Sequence, residues 1–250
     1  MTTFKYNQYL RTVELCRKNI DSFSTYPFSL EAVRSLFTLE LHPKVTFIVG
    51  ENGTGKSTIL EAIATAYGFN PEGGTKNFNF STTSTHSDLY KYLRLVKGIK
   101  RPEDGFFLRA ESFYNVASNI DELDKFGIGP RIIDSYGGRS LHEQSHGEAF
   151  LSLFVNRFSG KGLYILDEPE AALSPSRQMA MLARMHDLVQ EDSQFIIATH
   201  SPIIMSYPDA TIYELNDGFK RVAYKDTEHY QVMKEFINNT DRMLSIIMDL

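Results

Sequence analysis

The stretch Val45-Thr46-Phe47-Ile48-Val49-Gly50-Glu51-Asn52-Gly53-Thr54-Gly55-Lys56-Ser57-Thr58-Ile59-Leu60-Glu61-Ala62-Ile63-Ala64 decides the fold. Its first five residues, apolar or β-branched, read as a buried strand, and the apolar spacing after Thr58 reads as a helix. Between them Gly50, Gly55, Lys56 and Ser57 meet the spacing G-x-x-x-x-G-K-[ST]. Glycines let the backbone curl so that successive N–H groups, from Gly50 through Asn52, Gly53 and Gly55 to Thr58, point inward at phosphate oxygens. The helix that begins near Lys56 adds its positive dipole end. Lys56 would reach the β- and γ-phosphates, and Ser57 would offer its hydroxyl to Mg²⁺, which prefers hard oxygen ligands. A plain strand-to-helix turn is the competing reading. With average residue usage, however, the pattern arises in a chain this long on the order of one time in a hundred.

A second element of this kind lies downstream. The apolar run Leu163-Tyr164-Ile165-Leu166 ends in Asp167-Glu168-Pro169. A buried strand of a parallel sheet delivers such carboxylates at its C-terminal edge, beside the phosphate loop. Asp167 would complete the Mg²⁺ shell with Ser57. Glu168 would orient or deprotonate an attacking water. His200 follows the strand-like run Phe195-Ile196-Ile197-Ala198-Thr199 in the same manner and should reach the γ-phosphate from the same edge.

Composition bounds the rest. A hydrophobic content of 42% with 23% charged residues reads as soluble and globular. No apolar run approaches the roughly 20 residues needed to span a bilayer, and no secretory leader is evident, so a cytoplasmic location is expected. The single cysteine, Cys16, excludes an internal disulfide framework. A net charge of −5 argues against a protein that coats nucleic acid.

Along the chain, Tyr9 to Arg17 reads as a helix and Phe37 to Leu41 as a strand before the phosphate loop, which points to an antiparallel subsheet beside a parallel core. Tyr26 is a candidate for stacking on a purine. Asp88 to Lys97 reads as a helix with Lys91, Arg94 and Lys97 on one face, which is either a solvated helix side or a stripe for nucleic acid. Asn216-Asp217-Gly218 signals a hairpin between two strands, and two helices close the chain. The expected fold is a single α/β P-loop NTPase domain over residues 1–250. It has a mostly parallel central sheet and a helical lobe at about residues 82–160.

Taken together, these residues resemble the ABC-type ATPases, the superfamily of transporter cassettes and of SMC and RecF-like repair ATPases. Gly50 to Ser57 resemble its Walker A loop, Leu163 to Glu168 its Walker B strand, Ala171-Ala172-Leu173-Ser174-Pro175 its D-loop, and Thr199-His200-Ser201 its switch histidine. Ser145-His146-Gly147-Glu148 stands where the superfamily has its S-G-G-Q signature, with His146 and Glu148 as departures. Glu111 stands where a glutamine that contacts Mg²⁺ or water belongs. Most of the chain also looks like a group of small stand-alone bacterial ATPases of AAA/ABC-like type.

The resemblance implies Mg²⁺-dependent ATP hydrolysis by Lys56, Glu168 and His200. It also implies a homodimer that sandwiches ATP, in which Ser145, Gly147 and Glu148 reach the γ-phosphate of the opposite subunit. The expected role is a switch acting on an unidentified partner. The alternatives are the ATP-binding subunit of a transporter and a regulatory nucleotide-binding module with negligible hydrolysis.

Overall fold

Runs that are apolar from end to end belong in a sheet covered on both faces. The computed structural model, which describes residues 8–76, 87–110, 113–126, 131–216 and 218–249, provides such a sheet. The strands of the described residues, divided between this sheet and a second one, are β1 (Leu10–Leu15), β2 (Thr38–Glu40), β3 (Val45–Val49), β4 (Leu93–Lys97), β5 (Asp104–Arg109), β6 (Gly162–Asp167), β7 (Gln194–Ala198), β8 (Thr211–Leu215) and β9 (Phe219–Val222). The α-helices are α1 (Glu31–Ser35), α2 (Lys56–Tyr67), α3 (Phe113–Phe126), α4 (His146–Ser152), α5 (Pro175–Gln190), α6 (Pro202–Met205), α7 (Glu228–Asn238) and α8 (Thr240–Met248).

The central sheet has the order β5-β6-β7-β3-β8-β9 and is parallel except for β9, which forms the expected hairpin with β8. Strand alternation sends successive side chains to opposite faces. Val45, Phe47 and Val49 of β3, with Tyr164, Leu166, Phe195 and Ile197, join one core with residues of α3, α4 and α5. Ile48, Ile165 and Ile196 join the other, built with α2 and the strands of a second sheet. Among the described residues no helix is long and apolar enough to cross a membrane.

The second sheet is antiparallel, in the order β2-β1-β4, and two of its strands correct the helical readings of the sequence. β1 occupies the segment read as a helix from Tyr9 to Arg17. A register shift between Leu10 and Thr12 puts Leu10 opposite Lys97, Val13 opposite Leu95 and Leu15 opposite Leu93. One inserted residue thus places Leu10 and Val13 on the same face and mimics helical spacing.

Residues Asp88–Tyr92 form a 3₁₀ turn and Leu93–Lys97 form β4, so the predicted basic helix is absent. Arg94 and Lys97, three residues apart in a strand, point to opposite faces. Arg94 pairs with Glu14 at 2.5 Å, Lys91 pairs with Asp88 at 2.7 Å, and the Lys97 ammonium lies over the Tyr67 ring at 4.6 Å. The proposed nucleic-acid stripe therefore does not exist as a shared face.

Side-chain hydrogen bonds tie the two sheets together: Tyr213 Oη of β8 donates to the Glu40 carbonyl of β2 at 2.8 Å, and a second tie is buried. Gln194, fully buried at the start of β7, accepts from the backbone N–H of Tyr9 at 3.0 Å and of Leu10 at 2.9 Å. Its amide donates to the carbonyls of Leu10 at 2.8 Å and His42 at 3.0 Å. Leaving buried backbone groups unsatisfied costs about 1–3 kcal/mol each. Gln194→Met, similar in volume but without those bonds, is expected to lower stability by about 3 kcal/mol. In urea unfolding the midpoint should fall while the slope is kept; an unchanged midpoint would show that this tie contributes nothing.

Candidate functional site

The loop after β3 turns on residues that tolerate positive φ. Gly55, the N-cap of α2, has φ 98°, and a Cβ there would meet Ala32 and Leu30 at 3.3 Å. α1 and the residue before it therefore close over the loop. Lys56 is 4% exposed, and its Nζ donates to the carbonyls of Gly50 at 2.8 Å and Glu51 at 2.7 Å. Burial pushes its pKa down, against the pull of Glu168, Asp167, Glu170 and Glu51. The cation is thus held inside the loop by neutral acceptors that an anion can replace.

Ser57 Oγ donates to Asp167 Oδ1 at 3.0 Å. This contact brings the first turn of α2 to the end of β6, as a shared Mg²⁺ shell requires. Among the described residues no cluster of three or more His, Cys, Asp or Glu side chains could hold a metal alone. Mg²⁺ needs no such cluster, since one or two carboxylates with phosphates and waters suffice. The pair Ser57 and Asp167 fits that mode.

Arg109, at the end of β5 and in register with Asp167 of β6, lies 3.8 Å from Asp167 Oδ2 and 2.7 Å from Glu61 Oε2 of α2. The sequence reading missed Arg109 and Glu61, although the pairing of two strand ends would place Arg109 there. Glu111, the expected metal contact from this segment, lies outside the described residues.

Glu168 stands at φ 50°, ψ 53°. This left-handed conformation costs a non-glycine residue about 1 kcal/mol, and Glu168 N–H donates to the Ala198 carbonyl at 3.0 Å. His200 Nε2 lies 3.3 Å from Glu168 Oε1. The backbone N–H of His200 donates to Glu170 Oε1 at 2.5 Å, and burial raises the Glu170 pKa. The His200 pKa is lowered by burial and by Lys56, with Glu168 pulling the other way. His200 Nδ1 is 3.0 Å from His229 Nε2 of α7. The two rings line a groove of about 500 Å³ with Glu51, Val232, Phe236 and Ile247. Neither Glu170 nor His229 was found from the sequence. His229 comes from a distant helix, so no local spacing could announce it.

The structure thus brings together Lys56, Ser57, Asp167, Glu168 and His200. Ser145, Gly147 and Glu148 are grouped elsewhere, at the N-terminus of α4. Ser145 caps that helix in a reciprocal box with Glu148, whose carboxylate accepts from Ser145 N–H at 3.1 Å. The Ser145 hydrogen bonds hold the Glu148 carboxyl below its ordinary pKa. Glu148 also lies 3.6 Å from Arg177, and α4 packs on the 3₁₀ turn Pro169–Ala172 and on α5. Asn52 and Gly53 are exposed at the crown of the loop, while Thr58 is half-buried in α2. Tyr26 is 64% exposed, in the segment that leads to α1.

Comparison with known proteins gives matches to the model of an AAA domain over residues 18–129 and to that of an AAA ATPase domain over residues 139–205. An uncharacterized ABC transporter ATP-binding protein of Haemophilus influenzae is 27% identical over 202 residues, 73% of each chain. The chromosome partition protein Smc of Methanocaldococcus jannaschii is 26% identical over 162 residues, 54% of this chain and 14% of that protein. A solved metal-chelate-type ABC transporter in an inward-facing conformation has a chain that superposes with a TM-score of 0.50 at 17% identity. The match covers 90% of this chain and 88% of that one, and it speaks for the fold.

Gly147 has a packing role of its own. A Cβ there would lie 2.3 Å from Arg177 Nη1 and 2.7 Å from the Ala172 carbonyl. The arginine can swing away, but the backbone oxygen cannot, so α4 would have to lift off the turn that follows Glu168. Gly147→Ala is expected to destabilise the chain by about 1–3 kcal/mol, read as a drop in thermal midpoint. A midpoint equal to that of the native chain would contradict this packing.

Proposed function

The chain belongs to the ABC/SMC-like ATPase superfamily, and from that premise we propose that it hydrolyses ATP with Mg²⁺ and uses the cycle as a switch on a partner protein. The observation that carries this reading is the contact of Ser57 Oγ with Asp167 Oδ1 at 3.0 Å, with Glu168 and His200 beside it. A lysine, a hydroxyl, two adjacent carboxylates and a histidine converging at the ends of parallel strands are the parts that phosphoryl transfer to water needs.

In this reading the N–H groups of residues 50–58 and the Lys56 ammonium bind the β- and γ-phosphates. Ser57 and Asp167 hold Mg²⁺, which when bound supplies charge neutralisation of the phosphate oxygens. Glu168 accepts a proton from the attacking water, and His200 donates a hydrogen bond toward the terminal phosphate. Tyr26 offers the purine an exposed ring.

Ser145, Gly147 and Glu148 act in the second half of the site. Their α4 terminus faces the nucleotide of another copy, so two chains close on two ATP molecules and open after hydrolysis. One domain over residues 1–250 carries both halves; its lobe at about 82–160 gives β4 and β5 to the two sheets before its helices begin at α3, and the cytoplasm is its expected compartment. A second reading, the ATP-binding subunit of a membrane transporter, is favoured by relatives that carry the name ABC transporter ATP-binding protein. It predicts recovery with a membrane subunit, where the switch reading predicts a soluble partner.

Glu168→Gln keeps the shape of the side chain and removes the base. Hydrolysis should fall by about 100-fold or more, and light scattering after size-exclusion chromatography should show a dimer with ATP and Mg²⁺ and a monomer without them. A monomer at saturating ATP and Mg²⁺ would overturn the sandwich, and undiminished turnover would overturn the role of Glu168.

A further inference from the structure

His200 and His229 share a hydrogen bond that constrains where their protons can be. The nitrogens are 3.0 Å apart, and the rings are tilted by 54° with centroids 5.2 Å apart. One of the two nitrogens must donate and the other accept. The other nitrogen of His200, Nε2, is buried without a hydrogen-bond partner, and the Glu168 carboxylate faces it, with Oε1 at 3.3 Å. An ionised carboxylate only accepts, so a lone pair on Nε2 would face it repulsively. Nε2 therefore carries hydrogen, Nδ1 of the neutral ring accepts, and His229 Nε2–H donates.

The far side of His229 supports the same assignment. Its Nδ1 is buried with no hydrogen-bond partner. If His200 were an imidazolium it would donate from both nitrogens, and neutral His229 would have to place its own hydrogen on Nδ1. That would leave a buried N–H unsatisfied, which is rarer and costlier than an unused lone pair. Burial and Lys56, which lower the His200 pKa, act in the same direction.

The position of His229 is itself secured. The preceding residue, Glu228, donates its N–H to Glu214 Oε1 at 3.0 Å, and Glu214 of β8 is in register with Val49, the last strand residue before the phosphate loop. Thr227, fully buried, caps α7 by accepting from Tyr230 N–H at 3.3 Å. The imidazole of His229 is thus carried on a helix start that is tied to the strand beside the loop.

We propose that His229 is a positioning residue: its Nε2–H donates to His200 Nδ1 and holds His200 in the tautomer and orientation that aim Nε2–H at Glu168 and the terminal phosphate. The catalytic consequence rests on the ATPase reading above, whereas the pairing of the two rings does not.

The test uses the full chain with His229→Ala and His229→Gln; the Gln amide can donate from nearly the same place. Three readouts are taken: kcat and KM for ATP with Mg²⁺, ATP binding, and the ¹⁵N shifts of the His200 ring. The native chain should show His200 as a single Nε2–H tautomer. His229→Ala should make it a mixture and lower kcat by about 10-fold, with KM within about twofold. His229→Gln should restore the tautomer and most of kcat. An unchanged tautomer in His229→Ala, or equal losses of kcat in both variants, would overturn the proposal. Should His229→Ala fail to fold, the native ring shifts and the Gln variant still decide. If the native chain hydrolyses no ATP, the ATPase reading fails, and the ring shifts alone decide whether His229 sets the tautomer.

Discussion

The hydrogen bond from Ser57 Oγ to Asp167 Oδ1, 3.0 Å long, is the contact about which the site is assembled. It joins two residues that are 110 apart in sequence and meet in space because only β7 lies between β3 and β6 in the sheet. For the bond to form, both strands must end at the same level. The parallel registers that put Leu166 opposite Ile197 and Ile48 opposite Ala198 bring this about. The packing of the two cores against the sheet therefore has a chemical consequence. It fixes the height at which a hydroxyl, two carboxylates and a histidine leave the buried strands.

Concentrating so many ionisable groups at one edge costs free energy, because charges taken from water must be paired or neutralised. The structure meets this cost locally. Lys56 lies among carbonyls and opposite acidic neighbours, Arg109 sits between Glu61 and Asp167, and the raised Glu170 carboxyl anchors the backbone of His200. Arg109 is informative here: a cation 3.8 Å from Asp167 Oδ2 leaves the other oxygen of that carboxylate directed at Ser57. The left-handed backbone of Glu168 and the close approach of Gly147 to Ala172 bind the acidic turn to α4, the element proposed to serve a second copy of the chain. A change on either side of that turn would be felt on the other.

The features that were legible in the sequence are those with short-range signals. The phosphate loop, the acidic end of β6 and the histidine after β7 each follow an apolar run directly, so strand alternation and loop composition sufficed to place them on one edge. The hairpin of β8 and β9 was legible from its turn residues. What escaped depended on contacts between distant elements. A single inserted residue in β1 gave a strand the spacing of a helix, and a 3₁₀ turn running directly into β4 imitated one over Asp88 to Lys97, so that three basic residues were assigned a common face that a turn followed by a strand does not provide. Arg109 could have been placed only by aligning β5 with β6. His229 could have been placed only by knowing where α7 docks.

Ser57 and Asp167 together are proposed to make this edge a Mg²⁺–nucleotide site. Calorimetric titration of ATP, with and without Mg²⁺, into the native chain and Asp167→Asn tests this assignment most directly. Mg²⁺ should tighten ATP binding to the native chain by about 10-fold or more, and most of this gain should be lost in Asp167→Asn while metal-free binding persists. Equal affinity with and without Mg²⁺ in the native chain, or a full Mg²⁺ gain in the variant, would contradict it.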